Sequence, residues 1–184
     1  MVNEKVICAG FGGQGVMSMG QLMTYAGMIE NKEVSWLPSY GPEMRGGTAN
    51  CNVIVSDHLI GSPVITNDAT AAIVMNLPSL DKFENHVKAG GMILVNSSLI
   101  VKKVARDDVN AYYIPANEIA NELGNPRIAN MVMLGAYLEL AHPVKTDSVL
   151  EAFKKVFGES KAHLLPLNEA ALRAGSEFIQ KQRA

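Results

Sequence analysis

Two periods alternate along this chain. Lys5-Val6-Ile7-Cys8-Ala9 is a short apolar run of the kind a strand shows when both its faces are buried. It stops at Gly10-Phe11-Gly12-Gly13-Gln14-Gly15, and from Val16 to Ile29 the apolar positions recur at helical spacing. On that predicted helix Val16, Gly20, Met23 and Gly27 share one stripe. Glycine inside a helix costs about 1 kcal/mol against alanine, so two on one face predict close packing against a sheet or another chain. A second strand is predicted over Glu33–Leu37 and a third from Thr48 to Val55, with a Pro/Gly-rich loop from Pro38 to Gly47 between them. Ala71–Met75 reads as a buried strand, and Leu80–Val87 as a helix ended by Gly90-Gly91. Strands over Met92–Val95 and Tyr112–Ile114 follow, then a helix over Asn117–Leu123.

The C-terminal third changes to helical period alone. Asn125-Pro126 places an asparagine cap and a first-turn proline ahead of a helix that runs to Ala141. From Ile128 to Ala141 that helix is apolar almost all round, interrupted only by Asn130 and Glu139. Such a helix is buried on every side, and in a chain of 184 residues this predicts cover from a partner subunit. Thr146–Phe157 and Asn168–Gln180 are ordinary amphipathic helices. The alternation predicts an α/β fold: a three-layer open, largely parallel sheet with helices on both faces and a helical C-terminal third. One domain over residues 1–184 is expected, with the strand C-termini and the glycine turn along one edge.

Charge and composition narrow the function classes. The formal net charge is −2, with no basic run or basic patch interleaved with aromatics, so nucleic acid is not an expected partner. No apolar stretch is as long as a membrane span, and Val6–Ala9 is too short for the core of a secretory signal; a cytoplasmic protein is expected. Cys8 and Cys51 are too few for an iron–sulfur cluster or a structural zinc site. They read as buried small apolar residues in two strands, not as a standing disulfide. The four histidines are scattered without metal spacing and are expected at the surface or at helix ends.

Two segments carry candidate chemistry. Gly10, Gly12 and Gly15 fit G-x-G-x-x-G between a strand and a helix, where glycines allow close backbone approach and a helix N-terminus attracts an anion. Gly10, Gly12, Gly13, Gln14 and Gly15 are therefore candidate ligand contacts; a tight β-to-α turn with no ligand is the other reading. A dinucleotide site also needs a carboxylate at the end of the second strand, and Pro38, Ser39 and Tyr40 stand there instead. The second segment, Pro38–Cys51, holds Tyr40, Glu43, Arg45, Gly46 and Gly47 in a frame stiffened by two prolines. Arg45 suits bidentate contact with phosphate or carboxylate, and a Glu43–Arg45 ion pair on an ordered surface loop explains the same residues.

Those segments, G-F-G-G-Q-G-V at Gly10–Val16 and P-S-Y-G-P-E-M-R-G-G-T-A-N-C at Pro38–Cys51, give the chain its resemblance to the gamma subunits of 2-oxoacid:ferredoxin oxidoreductases. The similarity extends over nearly the whole length. It implies one subunit of an enzyme that oxidatively decarboxylates a 2-oxoacid, with 2-oxoglutarate the first expectation, and passes the acyl group to coenzyme A. Thiamine diphosphate, Mg2+ and iron–sulfur clusters are then expected on alpha, beta and ferredoxin-like delta chains, with ferredoxin as electron acceptor. This chain has no G-D-G with a downstream N-N to bind thiamine diphosphate. The resemblance gives it no catalytic residue. It implies a scaffold whose glycine turn, with Tyr40, Glu43 and Arg45, touches coenzyme A or another subunit. A stand-alone nucleotide-binding oxidoreductase and a metabolite-sensing adaptor are the competing readings.

Overall fold

The computed structural model describes residues 1–39 and 48–183. Strands β1 (Asn3–Phe11), β2 (Glu33–Ser39), β3 (Thr48–Ser56), β4 (Ala69–Val74), β5 (Val87–Asn96) and β6 (Asn110–Ile114) form one sheet in the order β2-β3-β1-β4-β5-β6. Five strands run in one direction, and only β3 opposes its neighbours β1 and β2. The expected largely parallel sheet is present. Its centre is set by apolar runs: every residue of β4 is buried, and β1 sends Val6 and Cys8 to one face and Ile7 and Ala9 to the other.

The two covering layers are unequal. One face carries α1 (Val16–Ile29), α3 (Ala116–Glu122), α4 (Ala129–Ala141), α5 (Thr146–Phe157) and α6 (Leu165–Arg183), all in one apolar cluster. The other is covered by α2 (Leu77–Phe83), a 3-10 turn at Glu84–His86, and loop residues such as Ile65 and Ile100. The stripe expected on α1 is buried against β2 and β3. A side chain at Gly20 would meet Cys51 and Val53, and one at Gly27 would meet Val34.

β3 is inserted between β2 and β1, because the chain turns back after β2 and pairs antiparallel with both. Two expectations need correction. The helix expected over Leu80–Val87 starts earlier and ends sooner. The Asn76 side-chain oxygen accepts the Ser79 N–H at 2.9 Å and Pro78 sits in the first turn, while Val87 already pairs with Ala69. Gly90-Gly91 lies inside β5 beside a register irregularity and ends no helix.

The second correction concerns α4. Residues Ala129 to Leu138 are buried, as their composition requires, but this chain covers them itself. Helix α6 crosses α4 at two glycines, where a side chain at Gly135 would strike the Leu172 backbone and one at Gly175 the Val132 backbone. With α1 and α3 also against it, α4 needs no partner subunit for its burial.

Candidate functional site

β1 delivers the chain to the glycine turn at the C-terminal edge of the sheet. The turn closes with Gln14 N–H donating to the Phe11 carbonyl at 3.1 Å, and the Gln14 side-chain oxygen accepts the Phe11 N–H at 2.7 Å. The same amide donates to the Met75 carbonyl at 3.3 Å, so Gln14 fastens the end of β1 to the chain leaving β4. Because α1 and α2 depart to opposite faces, the β1–β4 crevice is the switch point where α/β sheets commonly bind ligands. Gln14 bridges it. A side chain at Gly10 would strike both Gln14 and Met75.

Gly15 is the N-cap of α1 at φ +75°, a left-handed position, and it offers no side-chain acceptor to the first turn. Met19 N–H makes the first helical bond to the Gly15 carbonyl, at 3.0 Å. The donors ahead of it face outward with the partial positive charge of the helix end. Asn130 at the start of α4 donates to the Gly15 carbonyl at 3.2 Å, locking the turn to the helical layer.

Beside this helix end lies a cleft of about 500 Å³. Gly13, Gly15 and Ser18 form its floor, and Leu22, Phe153, Phe157, Leu164 and Leu167 its apolar wall. Arg127 and Lys161 stand exposed at its rim, with Asn125, Asn130 and Asn168 between. The Lys161 ammonium sits 5.1 Å from the centre of the Phe157 ring. No carboxylate lines this cleft among the described residues. Two cations, a helix N-terminus and an aromatic wall suit a long ligand that carries phosphate at one end and an apolar or amide-bearing arm at the other.

The five turn residues Gly10, Gly12, Gly13, Gln14 and Gly15 thus come together, with Gly13 and Gly15 on the cleft. Gln14 is committed to backbone partners. Tyr40, Glu43, Arg45, Gly46 and Gly47 lie outside the described residues. The described chain resumes at Thr48, which pairs with Phe11 at the end of β1. Ala49 also borders a second, open cleft of about 340 Å³ over Phe11, Gly12 and Met17. Among the described residues no three His, Cys, Asp or Glu side chains converge as metal ligands, and no helix is long and apolar enough to cross a membrane.

Residues 5–178 match the model of the pyruvate ferredoxin/flavodoxin oxidoreductase family. The chain belongs to that family. It is 39% identical over 178 residues to the ketoisovalerate oxidoreductase subunit VorA of Methanothermobacter thermautotrophicus, an alignment covering 96% of this chain and 36% of that protein. The chain therefore spans about a third of the length of the VorA relatives it matches. To the 2-oxoglutarate synthase subunit KorC of Methanocaldococcus jannaschii it is 36% identical over 155 residues, 82% of each chain. A crystal structure of a keto/oxoacid ferredoxin oxidoreductase gamma subunit from Geobacter sulfurreducens superimposes with a TM-score of 0.80 at 28% identity, covering 97% of this chain and 99% of that one.

Within this family member, Arg127, Asn130 and Lys161 line the candidate cleft, and a reading of the sequence missed them. Asn125 accepts the Arg127 N–H at 3.0 Å and starts the 3-10 turn Pro126–Ile128, which aims the polypeptide at the glycine turn. The Asn125-Pro126 cap was a visible signal for the position of Arg127. Lys161 had none, since its turn, Glu159–Leu164, reaches the cleft through tertiary packing alone, on α5 and α6, with α5 held against α1.

Proposed function

We propose that this chain is the gamma subunit of a 2-oxoacid:ferredoxin oxidoreductase, a single domain over residues 1–184 that works in the cytoplasm as part of a larger complex. Its substrate class is the 2-oxoacids, and the names of its relatives favour 2-oxoglutarate or ketoisovalerate. Thiamine diphosphate, Mg2+ and the iron–sulfur clusters belong to partner alpha, beta and delta chains, and electrons leave to ferredoxin. This chain contributes binding and orientation, and none of its residues moves a proton in the reaction.

One observation carries the specific role: the cleft beside the uncapped end of α1, with Arg127 and Lys161 at its rim and no acidic lining among the described residues. Coenzyme A fits that chemistry. Its phosphates would meet the guanidinium, the ammonium and the α1 N–H groups, while the pantetheine arm would lie along the apolar wall toward the glycine turn. Holding the arm there presents the thiol to an acyl group formed on a partner chain, a positioning effect.

In the assembled enzyme, Arg127→Ala combined with Lys161→Ala should raise KM for coenzyme A by about tenfold or more, the loss of one or two charge-assisted phosphate contacts. Both kcat at saturating coenzyme A and subunit assembly should be retained. An unchanged KM would remove the ligand role. Loss of the complex would transfer these residues to a subunit interface. That second reading has its own support, because Phe11, Leu77, Leu99 and Val101 are exposed at the same edge of the sheet.

A further inference from the structure

The two cysteines lie 43 positions apart in the sequence and opposite one another in the fold. In the antiparallel β1–β3 ladder Cys8 pairs directly with Cys51, three rungs inward from Phe11–Thr48. Both side chains belong to the apolar cluster under α1, so they share one face of the sheet. Both are free thiols with no solvent exposure. Opposed residues of an antiparallel pair have Cα atoms about 4.5–5.5 Å apart, inside the span of about 4.4–6.8 Å that a disulfide requires. The absent side chain at Gly20 leaves the room that the Cys51 sulfur occupies.

We propose that Cys8 and Cys51 are a redox modification site, at which a peroxide-class oxidant closes a cross-strand disulfide between β1 and β3. The surroundings assign different parts to the two thiols. The Cys8 thiol draws Cys51 toward its thiolate while burial opposes it, and the Cys51 thiol donates to the Val16 carbonyl at 3.5 Å. Cys8 is pushed the other way, first by Cys51 and then by burial. The Trp36 Nε1 has no hydrogen-bond partner among the described residues although it is buried, and it borders the same space at Gly20 as the Cys51 sulfur. A buried donor left unpaired has a cost, and a thiolate on Cys51 would relieve it.

The chemistry balances with one peroxide. Both sulfurs are enclosed, so the reaction runs through local opening of α1 from the sheet. The Cys51 thiolate then attacks a peroxide oxygen, the O–O bond breaks, and the sulfur becomes a sulfenic acid as the departing hydroxide takes up a proton to leave as water. The Cys8 sulfur then displaces the sulfenic oxygen as water, forming the S–S bond. In total two thiols and one hydrogen peroxide give one disulfide and two waters, with the thiols oxidised and the peroxide reduced. The linked positions lie two residues before Gly10 and three residues after Thr48. Closure would tie the base of the glycine turn to the start of β3.

The test is peroxide treatment of the native chain, followed by denaturing alkylation and intact mass. The expected product has lost two hydrogens, takes up no alkylating group, and yields a peptide joining Cys8 to Cys51. A thiol reductant should restore both alkylation sites. Its Tm should exceed that of the reduced protein by about 5 °C or more, since the link closes a long loop of the unfolded chain. In Cys8→Ala the reaction should halt at a sulfenic acid on Cys51 that a 1,3-dicarbonyl reagent traps. If peroxide leaves both thiols alkylatable, joins cysteines between molecules, or drives either thiol to a sulfinic acid without an intramolecular link, the proposal fails. The wild-type experiment decides this even if the variant does not fold.

Discussion

Gly13 and Gly15 both hold positive φ, yet substitution should expose different costs at each. At Gly13, φ is +93° and a Cβ would meet nothing, so Gly13→Ala pays only the left-handed backbone penalty, about 1 kcal/mol. At Gly15, φ is +75° and a Cβ would strike the Asn130 amide, the group that donates to the Gly15 carbonyl. Gly15→Ala should therefore destabilise by about 2–4 kcal/mol, combining backbone strain with loss of that bond, and denaturant melts of the two variants would separate the contributions. Equal losses would show that Asn130 moves aside freely. The glycines were legible in the sequence because a strand-to-helix turn demands them. The role of Gln14 was not, since the carbonyl it holds belongs to Met75, 61 positions away. Sequence spacing presents Gln14 as a ligand contact, whereas the fold spends both ends of its amide on the backbone.

Elements show the same division between local and tertiary information. Helix α5 runs over Thr146–Phe157 as its apolar period predicts, and α1 follows its stripe, because one-sided burial writes a period into the chain. Helix α4 has no such period, and the sequence could state only that it is buried. What covers it depends on Gly135 and Gly175, one on each crossing helix, whose pairing no local pattern reveals. Gly135→Ala should force the helices apart at the Leu172 backbone and cost about 2–4 kcal/mol, read as a fall in denaturation midpoint. A loss below about 0.5 kcal/mol would show that the crossing is loose. The same crossing carries a charge effect: Ser176 donates to Glu139 at 2.6 Å, and this bond holds the Glu139 carboxyl below its usual range. A depressed folded pKa contributes stability that is present above the unfolded value, about 4.3, and is lost as pH falls through the folded one. Ser176→Ala should therefore flatten the acid side of the stability profile while changing it little at low pH, where Glu139 is protonated in both states.

Taken as a whole, the molecule has one helical layer that is complete and one that is thin, and its edges are not equivalent. The largely parallel sheet was legible from the alternation of periods, but the reversed direction of β3 and the strand order were not, because inserting β3 between β2 and β1 changes no local signal. That insertion has a functional consequence: it brings the chain after residue 47 back against the glycine turn, so both sequence motifs end at one edge. The same edge displays apolar side chains where the parallel strands end, Phe11 at the end of β1, Leu77 after β4, and Leu99 and Val101 after β5. Val101 is almost fully exposed at 93% and Leu99 is half exposed. A polar replacement there removes no core packing, so Leu99→Asp with Val101→Asp should leave the melting of the isolated chain within about 0.5 kcal/mol of the parent. If this edge docks a partner subunit, the desolvated carboxylates would weaken association by several kcal/mol, and co-purification of the larger chains would fall sharply. Intact assembly with both aspartates in place would move the interface elsewhere, and a destabilised isolated chain would mean that these residues serve the fold itself. Because Arg127 and Lys161 line the cleft on the helical side of the turn, and Leu99 and Val101 follow β5 on the side of α2, the two pairs of substitutions should act independently. One should change the requirement for coenzyme A in a complex that still forms. The other should change the amount of complex while leaving the affinity of the remainder for coenzyme A intact.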